Sequence, residues 1–338
     1  MDEIAVAFAV SKPSNSSKGR KMTRYLIALT LLASTATMLQ AQEGPTPTQV
    51  LIQVDSKAPV VPVAKDFTLK VDNRATPLTS IAPVPADGAQ VALLIDDGLR
   101  VSIGRELDSL RSFVTQLRPG TEIFIGYMQN GRVLPAQDFT TNYAAAAKAI
   151  RIPQGAAGVS ASPYFCLSDF VKRWPSKQET QVDLQQSASA VRKARFVLML
   201  TSGVDPYNGS TSISNQSSPY VAAAVRDAQR AGVAVYSIYY GDAGIYGGRA
   251  NFSGQSYLQQ VSDETGGTAY YQGNGNPVSI EPYLKSFQSA VAESYIATFS
   301  APGGKDLVNL NLKTNLPKTK VRAPRLVRPG NGLTMQAQ

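Results

Sequence analysis

Histidine is absent from all 338 residues of this chain, cysteine occurs once, at Cys166, and tryptophan once, at Trp174. Without an imidazole, a Ser-His-Asp triad, a Cys-His pair and the common zinc sites are excluded. A lone cysteine permits no internal disulfide, so stability has to come from core packing. Cys166 lies among Tyr164, Phe165, Leu167 and Phe170 and reads as a small buried core residue. The sensible acid/base pair is Asp96 with Asp205, which would have to converge in one pocket to run a hydrolase on carboxylates. The chain therefore reads as non-enzymatic.

Acidic residues are scarce at both ends. Residues 1–41 hold five Lys/Arg against two Asp/Glu and residues 301–338 seven against one, so the 42–300 body is neutral in a chain of net charge +9. At the front, Lys18, Arg20, Lys21 and Arg24 precede an apolar run from Tyr25 to Leu39, then Gln40-Ala41-Gln42. A basic region, an apolar stretch and a small residue form the pattern of a signal peptide cleaved near Ala41, with Met22 as an alternative start. An apolar run of about 15 residues falls short of the ~20 needed to span a bilayer, so no stable transmembrane anchor is expected. The expected location is secreted or periplasmic. At the back, basic residues 305–328 either attract an anionic polymer or protect strand edges from aggregation. Aromatics are not interleaved with them, so no specific nucleic acid is expected as partner.

Long apolar runs organise the middle. Val91-Ala92-Leu93-Leu94-Ile95 ends in Asp96-Asp97-Gly98-Leu99-Arg100, the pattern of a strand buried on both faces of a parallel sheet. Arg195–Leu200 and Val233–Tyr240 repeat it, ending in Thr201-Ser202-Gly203-Val204-Asp205 and Gly241-Asp242. Between and after them, helical spacing is read over Ser102–Leu117, Tyr143–Ile150, Pro163–Trp174, Pro219–Ala231, Gln255–Thr265 and Ile280–Glu293, with Gln181–Lys193 a further candidate. Glu122–Met128 reads as a strand with Gly131–Leu134 returning as an antiparallel edge, and Thr268–Tyr271 as a short strand. The expected fold is α/β, a Rossmann-like doubly wound, mostly parallel sheet with helices on both faces.

The flanks revert to β patterning. Glu43–Thr48 reads as a linker, followed by strand-like runs at Val50–Val54, Val60–Val63 and Phe67–Val71, with Asp72-Asn73 as a turn. Tyr295–Phe299 and Leu307–Lys313 alternate in the same way. The division expected is a signal and upstream segment at 1–41, linker and small β extension at 42–88, an α/β domain at 89–300, and a basic β segment and tail at 301–338. Pro302-Gly303-Gly304-Lys305 lacks the first glycine and the hydroxyl of a phosphate loop. The Tyr207–Ser218 and Gly241–Gly248 stretches read as long loops beside the ligand edge, with Tyr207, Tyr239, Tyr240 and Tyr246 as candidate anchors.

Five stretches together carry a family likeness: Asp66–Asp72, Val91–Asp97, Val197–Gly203, Asp227–Tyr236 and Glu264-Thr265-Gly266-Gly267. In their order and spacing the chain resembles the von Willebrand factor type A domains over residues 60–315, and more narrowly the secreted A-domain proteins of acidobacteria. The resemblance implies a metal-ion-dependent adhesion site, in which three loops at the carboxyl edge of the sheet hold Mg²⁺. Of its Asp-x-Ser-x-Ser loop, only Asp96 matches here, since Gly98 and Arg100 stand where the hydroxyls belong. The second loop offers Ser162 for threonine, and the third offers Ser202 for aspartate. Asp96, Ser162 and Ser202 are thus weak metal candidates, with Asp97 or Asp205 as possible rescuers. Arg100 would repel a cation about 4 Å away by roughly 4 kcal/mol at an effective dielectric near 20, so tight Mg²⁺ is not expected. Its guanidinium either pairs with Asp96, Asp97 or Asp205 and closes the site, or points to solvent at a helix start.

The expectation is a secreted, non-catalytic binding or adhesion-type module. Asp96, Asp97, Arg100, Ser162, Thr201, Ser202, Asp205 and Asp242 would meet a protein or cell-envelope partner at the sheet's carboxyl edge. A structural or assembly role in an envelope complex is the alternative.

Overall fold

The computed structural model describes residues 44–156, 158–175, 192–208, 217–241, 248–273 and 275–333. The expected signal segment, most of the Gln181–Lys193 helix, Asp242 and Tyr246 lie outside them. Strands β1 (Thr46–Ser56), β2 (Phe67–Val71), β3 (Arg74–Thr76) and β4 (Leu78–Pro83) come first. Then follow β5 (Ala89–Asp96), α1 (Leu107–Thr115), β6 (Glu122–Gln129), β7 (Arg132–Thr140), α2 (Tyr143–Lys148), α3 (Pro163–Lys172) and β8 (Ala194–Thr201). The α/β part continues with α4 (Pro219–Arg230), β9 (Val233–Tyr239), α5 (Gly248–Thr265), β10 (Ala269–Tyr270) and α6 (Glu281–Ala292). The last strands are β11 (Ser294–Ala301), β12 (Val308–Thr314), β13 (Thr319–Arg322) and β14 (Leu326–Val327).

The central sheet has the order β10-β9-β8-β5-β6-β7. All its pairs are parallel except β6 with β7. Period-two alternation divides its side chains between two cores. Val91, Leu93 and Ile95 of β5 and Phe196, Leu198 and Leu200 of β8 pack with α1, α2 and α6 on one face. Ala92, Leu94, Val197 and Met199 pack with α3, α4 and α5 on the other. This is the doubly wound α/β architecture, with helices on both faces.

Local chemistry sets the turns and ends. Asn130 and Gly131 (φ 46° and 74°) make the tight turn from β6 into β7, and Asp72 and Asn73 (φ 48° and 65°) do the same from β2 into β3. The stretch expected as one helix from Ser102 begins as a 3₁₀ turn over Val101–Glu106 and becomes α-helical only at Leu107. Gly104 and the β-branched Val101 and Ile103 are weak helix formers, whereas Leu107–Val114 presents a buried stripe.

The two β flanks build one body. β1 lies between β13 and β11 in the sheet β13-β1-β11-β4, while β2 and β12 are central in β14-β12-β2-β3. Val50, Ile52 and Val54 of β1 meet Phe67, Leu69 and Val71 of β2 and Phe299 of β11 in a shared core. Residues from both ends of the described chain thus form a sandwich, in place of the separate small extensions expected. Thr46–Thr48, expected as linker, already pair with Ala301–Phe299, and no strand forms over Val60–Val63. Leu51 and Ile296, on the other side of that sheet, join the α/β core, and Tyr236 donates its hydroxyl to Gln53 Oε1 (3.3 Å).

The basic segment is largely woven into this sandwich. Lys305, Arg322 and Arg325 pair with Asp72, Asp263 and Glu264 at 2.6, 3.3 and 2.8 Å. Such exposed pairs contribute little stability, but they spend charge that an anionic polymer would need.

Candidate functional site

In the central sheet, the chain leaves β5 toward β6 on one side and returns to β8 on the other. Crevices outside the carboxyl ends of strands at such a switch are where open α/β sheets bind ligands. Here the crevice is bridged. Thr201 at the end of β8 donates its hydroxyl to Asp96 Oδ2 at 2.7 Å, and Gly98 N donates to Asp96 Oδ1 at 2.9 Å. Thr201 Oγ1 in turn accepts from Gly203 N at 3.2 Å. Asp96 and Thr201 are 3% and 0% exposed.

Asp97, the next residue, points into a different set of partners. Arg151 Nη1 and Nη2 donate to Asp97 Oδ1 and Oδ2 at 2.7 and 2.8 Å, a bidentate pair. Gln154 N donates to Oδ1 at 2.9 Å, and Gln129 Nε2 to Oδ2. The guanidinium carbon of Arg151 sits 3.7 Å over the Tyr127 ring, whose hydroxyl accepts from Arg151 N at 2.6 Å. Burial pushes the Asp97 carboxyl up, but the Arg151, Gln154 and Gln129 bonds outweigh it and hold it below the usual carboxylate range. The same pair raises Arg151, chiefly through its bond to Asp97. Burial raises Tyr127.

The sequence left two readings for Arg100, closing the site on one of the acids or pointing to solvent, and it did not single out Arg151. The ion pair on Asp97 is made by Arg151. Arg100 is exposed and its backbone N–H donates to Gly241 O at 3.3 Å, because the chain turns outward into the 3₁₀ segment at that point. Arg151 and Tyr127 carried no local signal: an arginine between a short helix and Pro153 is an ordinary loop residue until the fold lays it on Tyr127.

The remaining candidates have structural occupations. Ser162 is fully buried and its Oγ accepts from Tyr164 N at 3.3 Å as the N-cap of α3, so it serves that helix. Ser202 Oγ accepts from Val204 N at 3.4 Å. Asp205, fully buried, accepts from Ser218 Oγ at 2.8 Å and from Tyr207 N at 3.3 Å, which ties the β8 loop to the start of α4. Asp96 is thus bonded to Thr201 and Gly98, and Asp205 to Ser218 and Tyr207. Cys166 is buried, its thiol donates to Ser160 O, and burial pushes that thiol up.

Beside Asp96 lies a cavity of about 10 Å³, the room of a single water. Gly98, Gly158, Ser160, Ala161, Ser202, Val204 and Pro206 line the rest of it, and Ser162 does not. The donor set does not fit Mg²⁺, which demands near-octahedral oxygens. One carboxylate faces the cavity, its oxygens engaged by Gly98 and Thr201, and beside it Ser160 and Ser202 are the remaining hydroxyl residues of the lining. A Cβ on Gly98 would lie 3.2 Å from both Asp96 Oδ1 and Ala156 O, so the loop is closed down around a residue without a side chain. Among the described residues, no three His, Cys, Asp or Glu are grouped to hold a metal.

The rim beside these buried acids carries exposed apolar and aromatic side chains. Val101, Ile152, Tyr207 and Tyr220 are exposed, and Phe165 joins the two tyrosines with ring centroids at 5.3 and 4.9 Å. No helix among the described residues is long and apolar enough to cross a membrane.

No protein-family model and no curated protein matches the chain. Solved structures with likeness to it include a von Willebrand factor type A protein from Catenulispora acidiphila, at 11% identity over 86% of this chain and 75% of that one (TM-score 0.38). The ArnB paralog VWA2 from Sulfolobus acidocaldarius is similar at 11% identity over 84% and 76% (TM-score 0.35). An aerotolerance-related membrane protein from Bacteroides fragilis is similar at 14% identity over 60% and 98% (TM-score 0.37).

Proposed function

We propose that this chain is a non-catalytic binding module of the von Willebrand factor type A kind that engages a protein partner through the rim loops of its central sheet without tight Mg²⁺. One observation carries the reading. The acids Asp96, Asp97 and Asp205 are buried and bonded within the protein, while Val101, Ile152, Tyr207 and Tyr220 are exposed beside them together with Arg100. A rim of this composition suits side-chain docking, in which aromatic and apolar anchors fill a partner's pockets. Acid/base chemistry is disfavoured by the lack of histidine and by the bonds that already occupy the buried carboxylates of Asp96 and Asp205. Secretion is part of the proposal and rests on the Lys18–Gln42 pattern alone.

A photo-crosslinking amino acid placed at Tyr207, and separately at Lys313 on the sandwich, tests it in extracts of the source cell envelope. The expected result is a discrete adduct from position 207 only, unchanged by a chelator and lost on Tyr220→Ala. Equal labelling from position 313, or loss of the adduct with chelator, would overturn it.

A further inference from the structure

One shoulder of the rim has a chemistry of its own. Val101, Leu134 and Ile152 are 66, 47 and 52% exposed there. They belong to one surface. Leu134 pairs across β6–β7 with Tyr127, Tyr127 carries the Arg151 guanidinium, and Ile152 follows Arg151 in the chain. Ile152 also lies 3.7 Å from where a Cβ on Gly104 would stand, and Val101 lies against Gly155.

The charge set among these side chains is positive. Arg105, Arg132 and Lys148 are exposed and have no acidic partner among the described residues. Arg151 is 45% exposed and spends three N–H groups on Asp97 and Ile152 O, out of the five a guanidinium offers. Of the neighbouring acids, Asp97 is held by Arg151 and Glu106 by Ile280 N at 3.1 Å, while Asp108, its side chain 96% exposed, pairs at the surface with Arg111. Asp138 sits toward the far end of β7, where Thr140 pairs with Ile123.

The geometry points to this shoulder as the docking surface for an acidic polypeptide segment in which carboxylates alternate with apolar side chains. The inference rests on the rim reading above and names the partner chemistry. Charge complementarity selects the acid, since a segment bearing Asp or Glu meets Arg105, Arg132, Lys148 and the held guanidinium of Arg151. The aliphatic side chains favour a polypeptide over a polysaccharide or nucleic acid, because a protein segment brings aliphatic groups of its own to pack against them. The outer strand favours side-chain recognition over strand addition. β7 ends the sheet, carries Pro135, and its register with β6 shifts near Ile125.

Fluorescence anisotropy with a labelled peptide of alternating Glu and Leu tests this on the full chain. The peptide should bind at low salt, weaken as salt rises, and weaken by about tenfold or more on combined Arg105→Glu and Arg132→Glu. Ile152→Ser should weaken it severalfold, and Lys313→Glu on the sandwich should leave it unchanged. Equal thermal melts for these exposed-site variants confirm folding. The inference is overturned if the peptide does not bind, if the charge reversals have no effect, or if heparin or a Glu-Ser peptide binds as tightly. Should the peptide fail while the Tyr207 adduct persists, the rim reading stands and the acidic partner falls.

Discussion

The guanidinium of Arg151 holds the fully buried carboxylate of Asp97 through both Nη atoms while its own side chain remains 45% exposed. The pair is asymmetric in burial, and so are the consequences of breaking it.

Removing Arg151 leaves a carboxylate stranded in the interior, whereas removing the charge of Asp97 leaves a guanidinium that can turn to water. Arg151→Met should cost about 3–5 kcal/mol and Asp97→Asn about 2–3 kcal/mol. Urea unfolding at neutral pH measures both, and equal costs would show that the burial asymmetry does not matter. The pH dependence has a definite sign. Asp97 is lowered in the folded state, so its contribution is complete above the unfolded carboxylate value near 4 and is lost as pH falls below it toward the folded value. Asp97→Asn should therefore flatten the acid limb of the stability curve. Asp72 and Asp306, lowered by Lys305 and Arg230, act in the same direction at the surface and remain in that variant.

Much of the α/β body was legible because buried parallel strands write themselves as continuous apolar runs. β5, β8 and β9 are such runs, and each was visible with its polar ending. The sandwich was not legible as one body, since β1 pairs with β11 across some 250 residues and no local pattern encodes a partner that distant. At the site, Asp96 and Thr201 were visible as strand-end residues. Ser162 entered as a candidate through the family likeness, and no local pattern announced that its hydroxyl caps α3. Arg151 was invisible, being 54 residues from Asp97.

Metal independence can be read from the melting temperature. A cation that bound only the folded state would raise Tm with concentration. Millimolar Mg²⁺ or Mn²⁺ should leave Tm unchanged in differential scanning calorimetry, and a progressive rise would refute the reading. Restoring the missing hydroxyl should not rescue the site. In Gly98→Ser the new Cβ presses on Asp96 Oδ1 and the Ala156 carbonyl, both 3.2 Å away, so a loss of about 1 kcal/mol with no gain in metal response is expected.

The Gly266-Gly267 pair ends α5 for two separate reasons. Gly266 has φ 85° and an added Cβ there would stand 2.9 Å from the Ala323–Pro324 backbone, whereas Gly267 passes so close to β9 that its added Cβ would stand 2.0 Å from Val235 O. That neighbour is backbone in the middle of a buried strand and cannot give way. Gly267→Ala should destabilise by more than about 3 kcal/mol, while Gly266→Asn, which tolerates the left-handed region, should cost less. Thermal unfolding of the two variants checks the order.

The bond from Thr201 to Asp96 joins β8 to β5 across the crevice where the strand order reverses. Thr201→Val keeps the shape of the side chain and removes its donor. Asp96 Oδ2 then loses a charge-assisted bond inside the protein, a cost of about 1.5–3 kcal/mol. Thr201→Ser keeps the hydroxyl and should retain most of the stability. If the bond acts as a local clasp, amide exchange at Gly98 and Gly203, the N–H groups that bond to the two side chains, should accelerate in the valine variant more than at Val91 or Leu198 deep in the strands. Uniform acceleration along β5 and β8 would mean that the hydroxyl supports global stability and exerts no particular hold on the rim.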